Sequence, residues 1–408
     1  FKGKLEINSK GEFSIVSKNI NHKIVINEPS LKYFNGDEVE FFISKRKRKG
    51  KYLATIEKLL KREKSRYVGI IQINENFAFA ILDEKKIHVD VFIPRENIKK
   101  AQDGDKVIVE ILNWRKNDLS PIGRVIEILG KPGDHETEIK TIIKQNELPL
   151  KFPNHVEEYA KNINKKISSK EIEKRRDVRE ILTFTIDPED AKDFDDAISF
   201  RETGKNIYEI GIHIADVGHY VEKNSILDKE ALNRATSIYL VDRVVPMLPE
   251  ILSNNVCSLR PQEEKYTFSA IFNINNKGEI LEEWFGKSAI KSNRRFSYAE
   301  AQEIIETRKG KIRKEIALKK KEYKVKEEMV KAILILNEIA TTLRKERKRQ
   351  GSINFNKKEI TFKLDEKKNP IEVIFKESKE ANKLIEEFML LANKKVEILK
   401  TVSTEILE

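Results

Sequence analysis

One cysteine in 408 residues, Cys257, excludes an internal disulfide and fits a reducing, cytoplasmic compartment. Glycine (16) and proline (11) are too scarce for a fibrous or low-complexity chain. No apolar run approaches the ~20 residues that a membrane-spanning helix requires, and no amphipathic anchor is present, so no membrane partner is expected. The visible start carries no leader pattern. It opens on Phe1 rather than Met, within a strand-like pattern, and the last residues keep a helical period without a stop signal. Both ends read as cut. What the chain has in excess is positive charge: 79 Lys and Arg stand against 67 Asp and Glu, for a net +12. An acidic partner follows, nucleic acid before an anionic membrane, although abundant Lys, Ile and Asn throughout also fit a coding bias. The length allows two to four domains.

The first 130 residues contain a repeat. "GKLEIN" from Gly3 returns as "GIIQIN" from Gly69, "NGDEVEF" from Asn35 as "DGDKVIVEI" from Asp103, and "ATIEKLL" from Ala54 as "GRVIEIL" from Gly123. Each copy alternates short strands with turn residues, which predicts two five-stranded barrels of the oligonucleotide-binding or cold-shock kind, at 1–64 and 65–130. Phe13, Phe77 and Phe79 lie on early strands, where such a residue is either core or a platform for a base. The basic run Lys45–Lys51 reads as a hairpin tip. Residues 131–180 form a connector in which "NHVEEYAKNI" and "SKEIEKRRDVREI" read as helices. From 181 to 408 strands and helices mix without strict alternation, so the class is α+β.

That third domain opens on "TIDPEDAKDFDDAISF" (185–200), in which five aspartates and one glutamate face a single lysine between Asp187 and Asp196. Pro188 stops "ILTFTI" as an interior strand and "AISF" resumes it, so the acidic residues occupy a loop. Extended, Asp187 and Asp196 would stand about 30 Å apart; cooperation requires the loop to fold back. The loop is either solvated or, because packed carboxylates repel, built around a cation. Oxygen ligands without cysteine or histidine favour Mg²⁺, with Mn²⁺ possible, over zinc. Phe194 and Ala197 read as buried, which favours the cation and, beside a basic, base-stacking surface, phosphodiester chemistry. His213 and His219 read as packed neighbours without a ligand role.

The stretch resembles the signature of the ribonuclease II/ribonuclease R exoribonuclease family. The resemblance continues through "IHIADVGHYV", "ATSIYLVDRVVPMLPEILSNNVCSL", "GSINF" and "NKLIEEFMLLAN". It is closer to the ribonuclease R branch, whose tandem cold-shock domains precede a catalytic RNB-type domain. It implies a Mg²⁺-dependent, cytoplasmic, monomeric enzyme that hydrolyses single-stranded RNA from the 3′ end, releasing nucleoside 5′-monophosphates. It assigns the metal to Asp187, Asp193, Asp195 and Asp196, with Asp195 weighing most on catalysis. Glu189 and Asp190 match as structural residues, and Pro188 stands where the family usually has glycine. Tyr239 matches an aromatic that stacks on the terminal base, Phe355 its partner across that base, and Tyr298 and Glu386 residues that hold an upstream nucleotide. The family's later Ser-Pro-Ile-Arg-Arg-Tyr motif and C-terminal barrel are not found before Glu408. The catalytic domain is therefore expected to be incomplete as given, retaining RNA binding but losing nearly all hydrolysis. The rival reading is a non-catalytic RNA-binding or chaperone-like protein.

Overall fold

The computed structural model describes residues 1–408 apart from 9–10, 19, 27–31, 49–50, 85, 88, 115–117, 354–358, 367 and 406–408; the side chains of 21, 23, 45–48, 359 and 400–405 are likewise left aside. The chain divides into two units, Phe1–Leu150 and Lys151–Glu408.

In the first unit, β1 (Lys2–Ile7), β2 (Phe13–Ser17), β3 (Ile20–Ile26), β4 (Glu38–Arg48) and β5 (Lys51–Lys61) close a barrel in the order β1-β2-β3-β5-β4. The second barrel repeats that order with β6 (Arg66–Ile73), β7 (Phe77–Leu82), β8 (Val91–Pro94), β9 (Lys106–Asn113) and β10 (Ile122–Gly130). Alternate residues fill each interior: Leu5, Ile15, Ile24, Val39 and Phe41 in one, Ile71, Ala78, Ala80, Val91 and Val107 in the other. The turns recur bond for bond. Gly36 and Gly104 take φ of 92° and 76°, and their amides donate to Leu5 and Ile71 carbonyls at 2.8 and 2.9 Å. The following aspartates close the same turn, Asp37 accepting from the Phe34 amide at 2.9 Å and Asp105 from the Gln102 amide at 2.7 Å. β4 and β5 pair out to Arg48 and Lys51, so the basic run is the far end of a long hairpin, its tip outside the described residues.

The expected connector divides between the units. Helix α1 (His135–Gln145) stays with the second barrel: it buries Ile139 and Ile143, and Glu138 pairs with Lys106 at 2.9 Å. Helices α2 (Asn154–Lys161) and α3 (Ser169–Ile172) belong to the second unit. The helix expected across "SKEIEKRRDVREI" ends after α3, because β11 (Arg176–Asp177) leaves to pair at a sheet edge.

That sheet has seven strands: β11, β12 (Leu182–Asp187), β13 (Asp196–Gly204), β14 (Ile207–Ala215) and, after helices α4 (Val217–Tyr220) and α5 (Ile226–Arg234) and the small hairpin β15 (Ile238–Tyr239)/β16 (Val244–Val245), β17 (Glu264–Asn275), β18 (Ile280–Lys291) and β19 (Arg294–Ser297). Their order is β11-β18-β17-β14-β13-β12-β19. Helix α6 (Tyr298–Thr307), the hairpin β20 (Lys311–Ile312)/β21 (Tyr323–Lys324), α7 (Glu327–Arg349), the hairpin β22 (Glu359–Leu364)/β23 (Pro370–Lys376) and α8 (Glu380–Glu405) follow. One sheet face packs Phe184, Ile186, Ile198 and Phe272 against Ile304, Leu336 and Phe388 of α6, α7 and α8. The other packs Ala197, Ala215 and Ile271 against Leu227, Leu252 and Leu259. Two barrels followed by a mixed unit make the α+β class expected from the sequence. In the C-terminal helical period, Ile385, Phe388 and Ala392 of α8 are buried whereas Val396 and Leu399 are exposed.

Candidate functional site

β12 and β13 are antiparallel neighbours, with Phe184 opposite Ile198. Continuing that register brings Asp187 level with Asp195, so the acidic loop does fold back and returns its ends to one edge of the sheet. The returning limb is tied down through its backbone. The Phe194 amide donates to Ser258 Oγ at 3.1 Å, its carbonyl accepts from the Leu259 amide at 2.8 Å, and the Asp195 carbonyl accepts from the Ala215 amide at 3.0 Å. Phe194 itself is buried with Ala197. The outgoing limb is held by Arg295, whose Nη2 donates to the carbonyls of Pro188 at 2.7 Å and Glu189 at 2.8 Å.

The loop is therefore neither extended nor fully solvated. Asp187 is 7% exposed, and its Oδ2 has no hydrogen-bond partner among the described residues. Burial pushes the Asp187 carboxyl up to about 7; Thr185 and Arg295 pull against the rise, while Asp196 and Asp195 add to it. Burial, then Asp195, pushes Asp196 up to about 6, and burial, then Asp193, raises Asp195. These carboxylates are short of positive charge.

Two expected aromatics border them. The Tyr239 hydroxyl donates to Asp193 Oδ2 at 3.4 Å, and the ring is 69% exposed, free to receive a flat partner. Tyr298 enters by a different route. β19 runs parallel to β12 with Ser297 level with Asp187, and Ser297 then caps α6 in a reciprocal capping box with Glu300. The first residue of α6, Tyr298, thus lies against the carboxylates: burial, then Asp196 and Asp187, pushes its hydroxyl up to about 12. An open cleft of about 620 Å³ flanks the loop, with Pro188, Glu189, Tyr298, Arg313 and Asn382 among its walls. A larger cavity of about 1060 Å³ lies beneath α7 around Val330 and Leu334, and no residue of the acidic loop lines it.

Three further residues named from the sequence are placed as follows. Glu386 sits on α8, 55% exposed at its side chain and 3.9 Å from Arg347. Phe355 lies outside the described residues. His213 is fully buried between Ser199 Oγ at 2.8 Å and Ser269 Oγ at 2.6 Å, a packed neighbour as expected. Ser258 and Arg295 were not singled out from the sequence. The adjacent pair Arg294-Arg295 just before "FSY" was the available signal.

Among the described residues no three carboxylates, histidines or cysteines approach closely enough to enclose a cation unaided. Mg²⁺ does not require that: it typically keeps water and binds one or two carboxylates together with phosphate oxygens. The unpartnered Asp187 oxygen, the raised carboxyls beside it and the oxygen-only chemistry of the set fit such an ion.

Residues 175–398 match the family described as RNB domain, and residues 79–153 that described as Cold shock domain. The chain is 35% identical over 344 residues to ribonuclease R of Thermotoga maritima, covering 84% of this chain and 47% of that protein. It is 41% identical over 305 residues to DIS3-like exonuclease 2 of Schizosaccharomyces pombe, covering 74% and 32%. Among solved structures, Mycoplasma genitalium RNase R in complex with ribose-methylated single-stranded RNA superimposes with a TM-score of 0.86 at 26% identity, over 99% of this chain and 62% of that one. The chain thus spans about half or less of the length of these curated relatives. Among the described residues no helix is long and apolar enough to cross a membrane.

Proposed function

The chain belongs to the RNB-domain family that includes ribonuclease R, and from that membership we propose that its protein is an exoribonuclease degrading single-stranded RNA from the 3′ end to nucleoside 5′-monophosphates with Mg²⁺ or Mn²⁺. The observation that carries the reading is the folded-back acidic loop, in which the buried Asp187 keeps an unpartnered oxygen and Asp193 is bonded to the exposed Tyr239. Asp187, Asp193, Asp195 and Asp196 are the candidate ligands, of which one or two would hold the ion together with water and phosphate oxygens. When bound, it would neutralise phosphate, activate water and stabilise the leaving 3′ oxygen.

The rest falls to the chain's own groups. Tyr239 offers its ring to the terminal base, a contact worth about 1–3 kcal/mol for any base and hence blind to sequence. Its hydroxyl ties that ring to Asp193, so base and scissile phosphate are positioned from the same loop. Asp195 follows Phe194 on the returning limb, and we assign it the proton of the attacking water. Tyr298 stands on the wall of the flanking cleft, where the strand upstream of the scissile bond would run.

A non-catalytic RNA-binding protein built on the same two barrels is the second reading. Asp195→Asn in the full-length protein separates the two. We expect it to abolish release of mononucleotides from a labelled single strand while RNA affinity stays within about threefold, since one ligand charge spoils the chemistry and leaves distant contacts intact. Wild-type turnover in that variant would rule the assignment out.

A further inference from the structure

The acidic loop springs from the paired strands β12 and β13, and a side chain that belongs to neither limb touches both. Arg295 stands on β19, level with Thr185 of β12. Its Nη2 spans two consecutive carbonyls of the outgoing limb, Pro188 and Glu189. Its guanidinium carbon lies 4.8 Å from the centre of the Phe194 ring, on the returning limb. Phe194 is in turn anchored by Ser258 and Leu259. The outgoing limb has few backbone bonds of its own among the described residues. Pro188 has no N–H, and the one backbone bond within the outgoing limb joins Ala191 to Pro188 at 3.2 Å.

We propose that Arg295 is a positioning residue that bridges the two limbs of the acidic loop and so sets the separation of Asp187 from Asp195 and Asp196. The proposal rests on the reading of these aspartates as a cation site, but its geometry does not. Arginine suits the task because its planar fork can donate in-plane to carbonyls while its face lies on an aromatic ring. Lysine carries the same charge but a single nitrogen without a planar face. It can serve one limb at a time.

Two measurements on the chain of residues 1–408 test this, with Arg295→Ala and Arg295→Lys beside the wild type. The first is amide hydrogen exchange of the peptide covering 188–196, read against peptides of the two barrels. We expect about tenfold faster exchange in the alanine variant, an intermediate rate in the lysine variant, and unchanged barrels. The second is titration with Mn²⁺ alone, where loss of a residue that orients ligands typically weakens affinity about 10–100-fold. We expect a loss in that range for alanine and partial recovery for lysine, with RNA affinity in metal-free buffer unchanged. Wild-type exchange at 188–196 in Arg295→Ala, or acceleration spread evenly over the whole second unit, would overturn the proposal. If Arg295→Ala fails to fold, Arg295→Lys decides alone, since wild-type exchange and Mn²⁺ affinity in it would show that charge suffices and the bridge is not needed. Should the wild type take up no Mn²⁺, the cation reading falls, and the exchange data still decide the role of Arg295.

Discussion

Asp187 shows at the scale of one residue why the loop asks for a cation. A carboxylate taken out of water and set beside two others holds its proton, and here burial lifts Asp187 to about 7 and Asp196 to about 6. Both bind protons more tightly folded than unfolded. Their contribution to stability is therefore fully present below the unfolded value near 4 and is lost as pH rises through about 6 and about 7. We predict that the thermal midpoint of the metal-free chain declines between about pH 5 and pH 7.5, that Asp187→Asn flattens this decline, and that Mg²⁺ restores the wild type at the alkaline end. Calorimetry across that range checks it; a decline of equal size in the variant would place its origin elsewhere. The acidic loop was legible because carboxylates at such density have few uses, whereas the choice of four aspartates within it came from the family resemblance. Arg295 was not legible: its contacts depend on the parallel pairing of β12 with β19, over a hundred residues further on, which no local pattern announces.

Whole elements were legible where the pattern repeats and illegible where packing overrides it. The barrel turns could be read because a glycine with positive φ followed by a capping aspartate leaves its mark twice. The end of α3 could not. Polar periodicity runs on, but Arg175 is drawn inward, its side chain fully buried, paired with Glu171 and Asp216 at 2.8 Å each and lying 4.3 Å over Tyr266. This cluster pins α3 to the β14 and β17 ends of the sheet. Removing the arginine leaves two carboxylates without their cation, a loss that typically costs about 3–5 kcal/mol. Urea denaturation of Arg175→Ala should show a loss of that size, and a change under about 1 kcal/mol would mean that the cluster is solvated rather than structural. Two other expected aromatics, Phe77 and Phe79 of β7, form a cluster with Phe92 of β8, with ring centres 5.7 Å apart. Phe77 and Phe79 are only partly buried, so each ring keeps part of its surface in solvent.

For the molecule as a whole, the boundary after the second barrel matters. A fragment cut at residue 130 would strip Ile139 and Ile143 of α1 from the barrel they cover. We predict that residues 1–150 fold alone and bind single-stranded RNA with an affinity that falls steeply as salt rises, while residues 1–130 are markedly less stable. Circular dichroism and a salt series of RNA titrations check both halves; no binding by 1–150 at low salt would reduce the barrels to scaffolding. The central claim, that the acidic loop performs cation-dependent hydrolysis from a 3′ end, has a more direct test. Full-length protein is incubated with a 5′-labelled single-stranded RNA, with Mg²⁺ or with EDTA, and the products are resolved by length and by chromatography. The account predicts progressive shortening from the 3′ end and nucleoside 5′-monophosphates with Mg²⁺, and intact RNA with EDTA. RNA that stays bound and whole in Mg²⁺, or that is cut internally at the same rate with or without it, would contradict the account.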